Sequence, residues 1–275
     1  MCKKILSAVL ALFMAASLCL PCFASEKQTL QFRADGKFTI IHLADFHQHY
    51  PVDPLLKQYV IETLDSVKPD LVVLGGDVAG DVADSPATCQ NPLEECIKQI
   101  CELFTARKIP FTITFGNHDR QSGKSGPELL EYYERYGGDY FLGSDAVPEL
   151  TGCGTHDLPI LSSDGKKTAF NLFMFDSGDS VFDEKGNRLG YDSVHTDQIE
   201  WYKNRATELK EQNGGVTVPS MAFQHIIVEE IDDALFYRVD NSVGGLGEDF
   251  YDGHFLFTPI PKIQNVKSGV VMAFP

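Results

Sequence analysis

Positive charge is scarce in this chain: 23 lysines and arginines stand against 39 aspartates and glutamates, for a formal net charge of −16. That deficit excludes nucleic-acid binding by a broad basic face and disfavours membranes rich in anionic lipid. It leaves room for a small phosphorylated partner, provided that cations hold it. Long apolar runs are also few. One covers residues 5–20, short of the roughly 20 residues that cross a bilayer, and no stable membrane span is expected after it. The sequence shows no internal repeat, no low-complexity tract and no interdomain linker, and its length suits one large domain with a sizeable core.

The apolar run follows Lys3 and Lys4 and leads into Pro21, Cys22, Phe23 and Ala24. This is the layout of a secretory signal peptide over residues 1–24, cleaved after Ala24. An uncleaved anchor is the alternative, opposed by Ser25, Glu26, Lys27 and Gln28 directly behind it. The expected mature domain is 25–275, secreted or extracytoplasmic, and losing Lys3 and Lys4 takes the charge from −16 to −18. Cys89, Cys96, Cys101 and Cys153 then remain in an oxidising compartment, where two disulfides are expected as possible. None of these four forms a Cys-x-x-Cys pair, which argues against a thiolate zinc cluster. Cys96 and Cys101 face different sides of an expected helix and should not pair with each other. A bridge from Cys89 to the Cys153 region is one expectation.

Short apolar runs alternate with amphipathic stretches, the signature of an α/β architecture. Strands are expected over 38–44, 71–74, 111–115, 169–175, 216–223 and 269–274. Helices are expected over 54–67, stopped by Lys68-Pro69, and from Asn91-Pro92 with an inward stripe of Leu93, Cys96, Ile97, Ile100 and Phe104. Two more are expected over 126–136 and 196–212. Residues 232–262, rich in Asp, Gly, Pro and aromatics, read as long loops.

Polar residues cluster where the strands end. The first strand is followed by Asp45-Phe46-His47, the second by Gly75-Gly76-Asp77, the third by Gly116-Asn117-His118-Asp119, and the run through Phe223 by Gln224-His225. Singly, each has an ordinary explanation: Gly-Gly-Asp is a common turn, and a lone histidine is usually a satisfied one. All four in this order, each behind an apolar strand, point to carboxylates and imidazoles gathered around metal ions.

The set Asp45-x-His47, Gly76-Asp77, Gly116-Asn117-His118-Asp119 and His225 resembles the signature of the calcineurin-like metallophosphoesterase superfamily. Phe175-Asp176-Ser177-Gly178, Tyr191-Asp192-Ser193 and Gln198-Ile199-Glu200-Trp201 resemble its purple-acid-phosphatase-like branch. The resemblance implies a four-layer α/β/β/α sandwich of two mixed sheets flanked by helices. It implies Asp45 and His47 on a first metal, Asp77 bridging, and Asn117 and His225 on a second. His118 would be the catalytic imidazole, with Asp119 orienting its ring. The implied cofactors are two divalent or mixed-valence ions, Mn, Fe or Zn. The implied reaction is hydrolysis of phosphate mono- or diesters by a metal-activated hydroxide.

Two departures bear on that expectation. Purple acid phosphatases carry a tyrosine three residues after the bridging aspartate, where this chain has Gly80, so their charge-transfer colour should be absent. The family's Gly-His-x-His motif has no match; His254 follows Gly253, but Phe255-Leu256 comes next. Because 269–274 resembles the strand before that motif, the expectation is that the chain stops just short of its last two ligands. The alternatives are a metal- or phosphate-binding module without turnover, and a structural surface protein. Specificity is expected in the loops 51–54, 80–90, 121–126 and 178–190. Arg120 and Lys124 are candidates for phosphate contact or plain surface residues, and Tyr191, Tyr237 and Phe250 for an apolar wall or packing.

Overall fold

A computed structural model describes residues 27–80 and 85–228 and the backbone of 268–274. The expected signal peptide, His254, Tyr237, Phe250 and the loops of 232–262 lie outside the described residues.

The first sheet is built on β2 (Phe38–Ala44), β3 (Leu71–Leu74) and β4 (Phe111–Ile113), paired in parallel, with β10 (Ser268–Phe274) antiparallel to β2. Side chains alternate across these strands as the period of two requires. Phe38, Ile40, Leu71 and Val73 share one cluster with the second sheet, and Ile41, Leu43, Val72 and Leu74 share another with the helices. That helical side carries α1 (Pro54–Val67), α2 (Pro92–Thr105) and α4 (Gly126–Gly137), separated in sequence by the short α3 (Asn117–Gln121). Helix α1 starts where Asp53 accepts the N–H of Leu55 at 2.7 Å, with proline in its first turn, and stops at Lys68 in a left-handed conformation. The stripe expected on α2 is buried, joined by Cys101 and Leu103. The Asn91 side chain makes no capping hydrogen bond, so proline and Glu94 and Glu95 in the first turn mark that start.

The second sheet runs β1 (Leu30–Gln31), β5 (His156–Leu161), β6 (Thr168–Met174), β9 (Ser220–Phe223). Its far side packs Phe173, Phe175 and Val218 against Leu209 of α5 (Thr196–Gln212), with Trp201 and Tyr202 edge-on to Phe173. The molecule is thus α/β, with mixed sheets flanked by helices, as the strand–helix alternation implies.

Three expectations need correction. Cys89, Cys96, Cys101 and Cys153 are all free thiols. Three of them are buried, all within the helix-side core, where cysteine packs as a small apolar side chain. Residues 178–190 are not one loop: β7 (Ser180–Phe182) and β8 (Arg188–Tyr191) pair as a hairpin. The strand expected from 216 begins at Ser220, because a turn over 213–216 holds Val216 exposed. The strand expected over 269–274 is present as β10, which sets Ser268 beside Ala44 and Phe274 beside Phe38, so it starts at the Asp45 end of the sheet and leaves at the other.

Candidate metal centre

The ends of β2, β3 and β4 and the turn after β9 converge. Beyond β2 the backbone continues a ladder with the segment after β3: Asp45 N–H to Gly76 O at 3.0 Å, His47 N–H to Asp77 O at 2.8 Å, Gln48 N–H to Val78 O at 3.0 Å. Phe46, between the two polar residues, is buried in the helix-side core and anchors the turn. Asp45, His47 and Asp77 have φ of 58°, 48° and 53°, a left-handed conformation that non-glycine residues adopt at a cost. Three such residues at one place mark a functional geometry rather than a packing default. Gly116 permits the closest approach: a Cβ there would lie 2.3 Å from Asp77 Oδ1.

Asp77 is the hub. Its Oδ2 lies 3.6 Å from His47 Nε2 and 3.3 Å from His225 Nε2, and its Oδ1 accepts the backbone N–H of His118 at 2.8 Å. Two triads, His47–Asp77–His118 and Asp45–Asp77–His225, each keep their potential ligand atoms within 4.8 Å of one another. They share Asp77, the residue for which sequence analysis implies a bridging position. Asp45 Oδ1 is also 3.8 Å from His47 Nε2. Asn117 opens α3 and is buried between Gly116 and His118, both of which touch Asp77. The His118 ring lies edge-on to His47 at 4.7 Å, so it sits within the triad. Asp45, His47, Asp77, His118 and His225 therefore meet in one place, with Asn117 next to them in sequence, although the triads group Asp45 with His225 and His47 with His118. Nitrogen and oxygen donors around a shared carboxylate fit divalent ions of intermediate hardness.

The electrostatics suit a cation. Burial opposes charge on His225, yet the Asp77 carboxylate and the Gly75 carbonyl, 2.8 Å from Nδ1, lift its pKa to about 9. Burial works the other way on Asp77, but His225 and His118 hold its carboxyl below the usual range. The Gly75 carbonyl keeps a proton on His225 Nδ1, which turns Nε2 toward Asp77.

Asp119 does not orient the His118 ring. Its two carboxylate oxygens accept backbone N–H groups from Asp77, Val78, Ala79 and Gly116 at 2.8, 2.9, 3.1 and 2.9 Å. Burial pushes its pKa up, against the pull of these donors. The partners are main-chain groups, which carry no letter of their own in the sequence. Arg120 is not free for a phosphate either, because it is ion-paired with the buried Asp176. Lys124 is exposed and bonds Glu128 at 2.8 Å. The Phe175-Asp176-Ser177-Gly178 segment thus acquires roles that sequence reasoning missed: Asp176 receives Arg120, and Ser177 Oγ accepts the N–H of Ile226 at 2.8 Å, one residue past His225.

Fold and centre together define an α/β protein with a strand-end cluster suited to divalent metal. The chain belongs to the calcineurin-like phosphoesterase family, whose model matches residues 38–235. It is 24% identical over 238 residues to "Probable inactive purple acid phosphatase 28" of Arabidopsis thaliana, an alignment covering 75% of this chain and 57% of that protein. It is 25% identical over 284 residues to "Probable inactive purple acid phosphatase 14" of the same plant, with 88% and 67% covered. It is 30% identical over 224 residues to "Phosphatase DCR2" of Saccharomyces cerevisiae, with 74% of this chain and 37% of that protein covered. The chain therefore spans from about a third to two thirds of the length of these relatives.

Proposed function

We propose that this protein is a phosphoesterase that hydrolyses small phosphate mono- or diesters with two divalent or mixed-valence ions, Mn, Fe or Zn. The supporting observation is the pair of triads that share Asp77. Asp45, His47, Asp77, Asn117 and His225 would hold the ions. When bound, such ions lower the pKa of a water and offset the negative charge of a phosphate. His118 is the catalytic residue, with its backbone fixed to Asp77 and its imidazole able to pass a proton to the leaving oxygen. Asp77, fixed in turn by Asp119, keeps the triads together.

In this reading the protein works outside the cytoplasm as one domain over 25–275 behind a signal peptide. The acidic composition favours small substrates over nucleic acid. No helix among the described residues is long and apolar enough to cross a membrane.

A second reading is a centre that binds metal or phosphate without turnover, favoured by the word "inactive" in the names of three plant relatives. The two are separated with p-nitrophenyl phosphate and bis-p-nitrophenyl phosphate, with Mn, Zn or Fe added, beside His118→Ala. Metal-dependent turnover lost in the variant supports the enzyme. Metal binding without turnover selects the second reading, and absence of both retires the centre.

A further inference from the structure

The centre is assembled from two sheets, which meet directly where His225 contacts Asp77 and Gly75. His118 and Asn117 come from α3, behind the first sheet, whereas His225 follows β9 of the second. Among the described residues, Thr112 Oγ1 and His156 Nε2 also meet across the sheets at 2.7 Å, and a longer polar path joins the His118 side to the His225 side. Arg120, on α3 two residues past His118, pairs with Asp176 at the end of β6. Asp176 also accepts N–H bonds from Cys153 at 2.6 Å and Gly178 at 2.9 Å. Its carbonyl is held by Gln198 Nε2 at 2.8 Å from the first turn of α5. The next residue, Ser177, is fully buried, and its hydroxyl accepts the N–H of Ile226 at 2.8 Å. Ile226 follows His225, whose Nδ1 bonds Gly75 O.

We infer that Arg120, Asp176 and Ser177 form a brace of positioning residues that sets the distance between the His118 side and the His225 side of the centre. This rests on the reading of the centre given above. A buried ion pair adds little net stability, because desolvation offsets most of its Coulomb attraction. Apolar side chains of similar volume would hold the sheets together about as well. What the pair adds is direction: a guanidinium on a carboxylate that is itself locked by two backbone donors admits one geometry. The adjoining serine passes that geometry to the turn carrying His225.

The test is amide hydrogen exchange on the metal-free full chain, joined to Mn2+ titration of the same variants. Arg120→Gln should speed exchange at His225 and Ile226, which Arg120 does not touch, by about ten-fold or more. It should weaken Mn2+ binding, and Arg120→Lys should restore part of both. Ser177→Ala, a loss of one oxygen that spares the fold, should speed exchange at 116–121 as well as at Ile226. Changes confined to the neighbourhood of each substitution would overturn the brace, leaving an ordinary local ion pair. A wild-type chain that takes up no Mn2+ would retire the metal reading, while the exchange data still decide whether the two sides are coupled.

Discussion

The carboxylate of Asp119 accepts the backbone N–H of Asp77 at 2.8 Å. The same two oxygens take Val78, Ala79 and Gly116, so one side chain gathers the turns behind β3 and β4 by their main chains. The left-handed φ of Asp77 persists because its amide is caught in this way.

Asp119→Asn is therefore expected to lose about 2–3 kcal/mol of stability, since an amide offers one acceptor oxygen and turns an N–H2 toward N–H donors. Urea unfolding of the metal-free chain reads this directly. If the stability is unchanged and only the pH profile of turnover moves, Asp119 acts on the His118 ring after all.

Gly80 gives a second prediction. A Cβ at this position would lie 2.4 Å from the carbonyl oxygen of His118, a contact with backbone that no side-chain rotation relieves. Gly80→Ala should displace the start of α3 and weaken metal binding, measured as Mn2+ affinity. Gly80→Tyr should do so more strongly and should produce no charge-transfer band with iron. Native affinity together with a visible band would show that the turn yields freely.

His156 gives a prediction for stability against pH. It is fully buried, with Nδ1 donating to Gly154 O at 2.7 Å and Nε2 accepting from Thr112 Oγ1 at 2.7 Å. Burial lowers its pKa from 6.5 to about 4. The unfolded chain takes up this proton first, so its contribution is full above pH 6.5 and is lost as pH falls toward 4. The loss is about 3 kcal/mol at most. Urea midpoints at neutral and acid pH should converge less steeply in His156→Gln than in the parent. Equal slopes would mean that other groups carry the acid sensitivity.

The sequence made the centre legible because its parts are side chains at strand ends: Asp45, His47, Asp77, Asn117, His118 and His225 each follow an apolar run, and parallel pairing brings those ends together. The central strands were legible for the same reason, being continuous buried runs. What escaped notice has no such pattern. Strand β5 contains Asp157 and Pro159, residues that argue against a strand, and β1 has only two residues. The β7–β8 hairpin is largely exposed and so has no buried face to betray it. The cysteines were read from the compartment, whereas Cys96 and Cys101 are governed by the helix stripe they fill. The work of Asp119, Arg120 and Ser177 depends on contacts 40 to 56 residues distant, which no local window contains.

The polarity of β10 has a further meaning for the centre. On one side, Ile226 is tied to Ser177 beside His225; on the other, Ser268 stands in register with Ala44, next to Asp45. Two points far apart in the sequence are therefore posts of the centre itself. A substitution that shifted β10 along β2 would therefore be felt beside Asp45, so change in a strand that carries none of the six residues still bears on the geometry of the centre.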